Sequence, residues 1–389
     1  MSVTKPRGFR AAGIAAGIKS TGARDLALIV NDGPEYAAAA VFTTNRIQAA
    51  PVQWSQRQMT ATGSARAVVL NSGGANAATG TAGFKDSQVT AERAAQLLNT
   101  DADQIQVCST GLIGVRLPIE ALLGGLETAV TKLNSDVLAG QQAAEAIMTT
   151  DTVSKTAMVE RDGWSVGGIA KGAGMLAPGM ATMLVVLTTD ARVESTSLDE
   201  ALRAATATTF DRIDSDGCMS TNDTVVALAS GASKIEPTTE ELTAALREVS
   251  AHLARQLVAD AEGATHDIAI TVQNASTEAA AVTVARAIAR SNLFKAAVFG
   301  NDPNWGRIIS AAGTVPADIA PFDPNEIDVA VNGVQVCRGG GVGEDRALVD
   351  MSPREVQVVV DLHAGSAAAT VWTNDLTHDY VHENSAYSS

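Results

Sequence analysis

The sequence predicts an α/β protein, on two periodic patterns and one compositional bias. Short apolar runs rich in β-branched residues recur along the 389 residues, segments of helical period lie between them, and aromatic residues make up only 4%. Alternation of the two periods argues for sheets covered by helices. With few large rings and many Ala and Gly residues, packing must come from aliphatic side chains and close backbone approach.

Taken in order, the start MSVTKPRGFRAAGIAAGIKST (1 to 21) places basic residues ahead of a short apolar stretch. Lys19 interrupts that stretch, so it reads as mature protein rather than a secretory leader. AAAAVFTT (37 to 44) and RAVVLNS (66 to 72) are too short and too β-branched for helices and read as strands. VTAERAAQLL (89 to 98) has helical period, and the strand-like IQVCS leads into CSTGLIGV (108 to 115). ATMLVVLTT (181 to 189), HDIAITV (266 to 272) and VQVVVDL (356 to 362) are further strands. SGASKIEPTTE (230 to 240) reads as a connector, dividing the chain into residues 1–235 and 236–389. Beyond it, Thr238 and Glu241 stand at capping-box spacing, Leu242, Leu246, Val249, Leu253 and Leu257 mark one apolar face, and Gly263 is the expected stop. CRGGGVG (337 to 343) reads as a mobile loop.

Composition narrows the function. A net charge of -15 argues against a polyanionic partner, which excludes nucleic acid. No run approaches the roughly 20 apolar residues that span a bilayer, so a membrane partner is excluded as well. Cys108, Cys218 and Cys337 are odd in number, widely spaced and without a CxxC pair. They suit reduced thiols in a cytoplasmic protein rather than a disulfide framework or a zinc site.

The most unusual segment is GGIAKGAGMLAPGMATMLVVLTTD (167 to 190), where small residues run straight into an apolar strand at Ala181-Thr182. Taken alone, Thr182 is a strand-initiating threonine, the commoner fate of its type. The chemical reading is that its hydroxyl attacks the Ala181 carbonyl and cuts the chain there. The freed amine, with an ordinary pKa of about 7.7 to 8.0, can then take the hydroxyl proton, so one residue supplies nucleophile and base. In CSTGLIGV, the Thr110 hydroxyl and an unobstructed Gly111 N–H are the kind of donor pair an oxyanion requires, against the plainer reading of a strand-to-loop turn.

These residues, together with GFRAAGIAAGIK (8 to 19), NSGGANAATG (71 to 80), MTTDT (148 to 152), KGAGMLAPGMATML (171 to 184), TFDRIDSDGCMSTND (209 to 223) and GNDPNWGRI (300 to 308), resemble the ornithine acetyltransferase family, also called glutamate N-acetyltransferases. The likeness spans nearly the whole chain. It implies an N-terminal-nucleophile-like fold, a four-layer αββα sandwich with a smaller C-terminal α/β domain, cut into chains 1–181 and 182–389. Two copies of each would form a heterotetramer.

The resemblance further implies Thr182 as nucleophile, Thr110 and Gly111 as oxyanion donors, and substrate contacts from Thr149, Lys171, the Thr182 backbone, Glu262, Asn384 and Ser389. The charges make chemical sense: Lys171 can pair with an amino-acid carboxylate and Glu262 with the distal ammonium of ornithine. The implied reaction is ping-pong. N2-acetylornithine acetylates Thr182, and glutamate then takes the acetyl group, as in arginine biosynthesis. No cofactor is implied, and acetyl-CoA stays open as a co-substrate.

Two rivals stand beside this reading. One is a related self-processed aminopeptidase, in which water discharges the acyl-enzyme. The other is a noncatalytic binding protein with a structural threonine. Other constellations are weaker. His378 and His382 lack a full HExxH and read as solvated, and RAVVLNSGGANAATG lacks GxGxxG spacing. In GNDPNWGRI, Asn301, Asp302 and Asn304 read as turn formers around Pro303.

Overall fold

The computed structural model describes residues 2–177 and 183–386. Ala181, Thr182 and Ser389 therefore lie outside the described residues. Two sheets form the centre. A four-stranded sheet runs in the order Phe9–Ile14, Leu26–Asn31, Ala67–Asn71, Ile105–Ser109. A five-stranded sheet runs Ala37–Phe42, Thr224–Ala229, Leu184–Thr189, Ser165–Lys171, Lys155–Glu160.

Period-two alternation sorts the side chains between faces. Ile29, Val68, Leu70 and Cys108 of the first sheet share one core with Ile169, Leu184, Val186, Val226 and Leu228 of the second. The opposite face of the four-stranded sheet, with Leu28, Val69 and Val107, packs against Trp54, Ala91 and Leu126 of the helices Ala50–Thr62, Gly80–Leu98 and Ile119–Thr131. The opposite face of the five-stranded sheet, with Val166, Val185 and Val225, packs against Leu198, Leu202, Leu246 and Leu253 of the helices Ser195–Ala207 and Thr239–Ala259. The layers are thus helix, sheet, sheet, helix, as expected.

Thr238 and Glu241 close the capping box in both directions, at 3.2 Å and 2.9 Å. The helix that follows lies beyond the expected division after residue 235, yet it packs on the sandwich. It ends at Ala259 with Asp260 as its cap, four residues' span short of the sequence's expected stop at Gly263. Gly263 has another use: at φ +60, a Cβ there would meet the Tyr380 nitrogen at 2.3 Å, so its bare backbone seats the C-terminal helix His378–Ala386.

From Asp267 onward a six-stranded sheet forms in the order Gly341–Val342, Val334–Arg338, Asp328–Val331, Glu355–Asp361, Asp267–Ala275, Ala367–Asn374. Helices Glu278–Ala289, Asn292–Phe299 and Trp305–Ala312 cover one face of it. The 337–343 segment, read as a mobile loop, is instead a hairpin: Cys337 pairs with Val342, and Gly339 and Gly340 at φ +53 and +66 make the turn. Glycine content signals the turn but hides the short strands around it. No described helix is long and apolar enough to cross a membrane.

Candidate active site

Strand ends from both central sheets converge on one pocket. Thr110 follows the strand Ile105–Ser109, and Lys171 closes Ser165–Lys171. Asn222, just ahead of the strand Thr224–Ala229, ties that strand to the first of these ends: its buried amide donates to Ser109 O at 2.8 Å and to Ala75 O at 2.6 Å. Across the first turn, Gly74 N–H donates to Thr110 O at 3.0 Å. The backbones are so close that a Cβ on Gly111, at φ +128, would lie 2.8 Å from the Gly74 nitrogen. Only glycine fits. Its N–H donates to no described residue, and the residue lines the pocket.

Thr110 is 2% exposed and accepts a hydrogen bond on Oγ1 from Lys171 Nζ at 3.3 Å. An ammonium can only donate, so the threonine's own proton stays free for another acceptor. Burial pulls the Lys171 ammonium below its ordinary value, Asp151 pulls it back up, and Lys155 opposes.

Asp151 is the organising carboxylate that sequence reading left without a role. Its Oδ2 accepts the Thr149 N–H at 2.9 Å, and its Oδ1 accepts the Gly172 N–H at 2.6 Å and Lys155 Nζ at 2.7 Å. Burial works to raise its pKa, but Lys171, Lys155 and the Gly172 N–H outweigh that and hold it at about 2. Lys155, fully buried, also donates to Asp260 Oδ2 at 2.6 Å. Lys155→Met removes the cation from two buried carboxylates and is expected to cost about 3 to 5 kcal/mol. An unchanged urea midpoint would show that the pair carries no such weight.

On the far wall, Glu262 stands three residues beyond the helix Thr239–Ala259, and its N–H donates to Ala173 O at 3.0 Å. Its carboxylate packs over Gly174, where a Cβ would sit 2.5 Å from either oxygen. Asn384 on the C-terminal helix donates from Nδ2 to Glu262 Oε2 at 2.9 Å, which brings the tail to the site. The approach to the expected cut is fastened as well. Met175, at φ +59, donates its N–H to Asp216 Oδ2 at 2.6 Å, and Leu176 O accepts the Ser215 N–H at 2.5 Å. Lys295 of the C-terminal domain reaches Ser215 O from behind.

Thr110, Gly111, Thr149, Lys171, Glu262 and Asn384 thus line one pocket, with Thr150, Met175, Ser220, Thr221 and Asn222 filling its walls. The profile of the ArgJ family matches residues 10–389.

The chain belongs to the ArgJ family.

It is 61% identical over 389 residues to the arginine biosynthesis bifunctional protein ArgJ of Streptomyces coelicolor, and 62% identical over 389 residues to that of Thermobifida fusca, all of each chain being covered. Among solved structures it is similar to an ornithine acetyltransferase complexed with ornithine from Mycobacterium tuberculosis, at 54% identity and a TM-score of 0.45, over 47% of this chain and 96% of that one.

Asp151, Asn222 and Asp223 are buried, and they lie in MTTDT (148 to 152) and TFDRIDSDGCMSTND (209 to 223), where the sequence alone assigns them no role. Their signal was present only as polar residues crowded between apolar runs.

Proposed function

We propose that this chain is an ornithine acetyltransferase of arginine biosynthesis that cuts itself before Thr182 and moves acetyl from N2-acetylornithine to glutamate through an ester on that threonine. One observation carries the reading. A threonine hydroxyl, a glycine N–H, a buried cation and a carboxylate line one pocket, and Lys171 in it pairs with the strand that follows residue 182. Leu184, two residues along the chain from position 182, pairs with Lys171 on one side and Thr224 on the other.

Thr110 Oγ1 and Gly111 N–H stabilise the tetrahedral oxyanion. Lys171 takes the α-carboxylate and Glu262 the distal ammonium, so charges at opposite walls select an amino acid carrying both. Thr149, ordered by Asp151, contributes a polar contact, and Asn384 and Ser389 complete the site from the tail. Glutamate enters after ornithine leaves and discharges the ester. Acetyl-CoA is not required for this cycle. Two copies of each processed chain assemble in the cytoplasm, giving a native mass of about twice 39.9 kDa.

The test is a half-reaction. Incubated with N2-acetylornithine alone, the enzyme releases one equivalent of ornithine and keeps an acetyl adduct on the fragment beginning at Thr182. Adding glutamate removes it as N-acetylglutamate. Steady release of acetate with no dependence on glutamate would instead establish the aminopeptidase-like reading, in which water is the acceptor.

Glu262→Gln keeps the shape and removes the charge. It is expected to raise KM for acetylornithine by about 10- to 100-fold, the worth of one charge-assisted hydrogen bond. A KM equal to wild type would place the ammonium elsewhere.

A further inference from the structure

The self-cleavage in the reading above lacks a proton carrier, because before the cut the nitrogen of residue 182 is an amide and is not basic. Most carboxyl groups around the pocket are already engaged. Asp151 is held by Lys155 and two N–H groups. Asp216 has both oxygens taken, by the Met175 and Cys218 N–H groups at 2.6 Å and 3.0 Å. Glu262 is held by Asn384.

Asp223 differs. It is 0% exposed, its Oδ1 accepts the Met183 N–H at 3.1 Å, and its Oδ2 has no hydrogen-bond partner among the described residues. Ser220 Oγ accepts the Asn222 N–H at 3.1 Å, and its own O–H, still free, approaches the Asp223 carboxyl without closing a hydrogen bond on Oδ2. A fully buried carboxyl oxygen without a partner is costly and calls for an explanation. Met183 is the residue joined to Thr182, and the Thr224 N–H fixes the Met183 carbonyl at 3.1 Å, so this carboxyl is held to the backbone of the first described residue after the expected cut.

We propose that Asp223 is the proton carrier of self-cleavage, its Oδ1 holding the Met183 N–H and its free Oδ2 exchanging protons with Thr182.

The step balances. Thr182 Oγ forms a bond to the Ala181 carbonyl carbon, and the bond from that carbon to the Thr182 nitrogen breaks. Asp223 Oδ2 gives its proton to the departing nitrogen and recovers one from the Thr182 hydroxyl, ending as it began. Water then hydrolyses the ester, its hydroxyl going to the Ala181 carbonyl and its proton to Thr182 Oγ. Burial supports the role: it drives the Asp223 carboxyl well above the usual range against the pull of Met183 N–H, Ser220 and Lys171, which favours the protonated form over the carboxylate.

The experiment follows conversion of the 39.9 kDa chain into fragments after rapid synthesis, by intact mass. Asp223→Asn is nearly isosteric and keeps an oxygen for Met183 N–H, but cannot relay a proton. It is expected to slow cutting by about 10²- to 10⁴-fold with an unchanged melting temperature. Asp223→Glu, which restores a carboxyl, should recover part of the rate. Should Asp223→Asn prove insoluble, Asp223→Ser is measured instead, with added formate expected to accelerate cutting in that variant and not in wild type. Wild-type cutting rates in a folded Asp223→Asn, or in Asp223→Ser without formate, would overturn the proposal and leave self-cleavage itself standing. A wild-type chain that is active and uncut would instead remove the reading on which the proposal rests.

Discussion

Thr182→Ala is expected to yield a single 39.9 kDa chain, no acetyl adduct, and a loss of acetyl transfer of about 10⁴-fold or more. The size follows from the double use of one residue. Removing its hydroxyl removes the attacking group in both the cut and the transfer, and an uncut chain never gains a free amine to serve as base. Thr182→Ser keeps a hydroxyl and should retain both activities at reduced rate. Intact mass and an acetyl-transfer assay on the same preparation decide the matter. A Thr182→Ala protein that still transfers acetyl would end the mechanism, however well the pocket is built.

The next largest effect belongs to Thr110→Ala, expected to lower kcat by about 10²- to 10³-fold with little change in KM. The reason lies in which way the hydrogen bonds run. Lys171 Nζ donates to Thr110 Oγ1, so that oxygen's own proton is directed away from the ammonium and remains available to a developing oxyanion. Gly111 offers the second donor beside it. Because this interaction strengthens only as charge develops on the carbonyl oxygen, its loss should appear in kcat rather than in substrate binding. Thr110→Ser is expected to restore most of the rate. Equal kcat in wild type and Thr110→Ala would retire the assignment.

Local pattern made much of this architecture readable. β-Branched runs gave Ala67–Asn71, Leu184–Thr189 and Glu355–Asp361 to within a residue or three: the first two are buried on both faces and so read as continuous apolar runs, while the third alternates buried with exposed residues. The helix from Thr239 was legible at its start, since a capping box is a short-range device. Its end was not. Gly263 looks like a helix stop until Tyr380 arrives from the far end of the chain, and no window of sequence holds both residues.

The same distinction applies to the pocket. Thr110, Lys171 and Glu262 were assigned by likeness to a family, and they meet in one cavity. Asp151, by contrast, matters because it gathers the backbone at 149 and 172 and the side chain at 155, a convergence visible only in three dimensions. Asp223 is equally silent in sequence, where it is one acidic residue before a strand; that one of its oxygens is buried without a hydrogen-bond partner among the described residues is visible only in three dimensions.

Leu184–Thr189 is the middle strand of its sheet, bordered by Thr224–Ala229 from the same side of position 182 and by Ser165–Lys171 from the other. Severed there as proposed, the two polypeptides would resemble an interleaved weave more than a docked pair. Enzyme grown on heavy nitrogen and mixed with unlabelled enzyme should show no hybrid halves after days at room temperature, because trading a half means dissolving the fabric, and scrambled masses would reveal a far looser partnership.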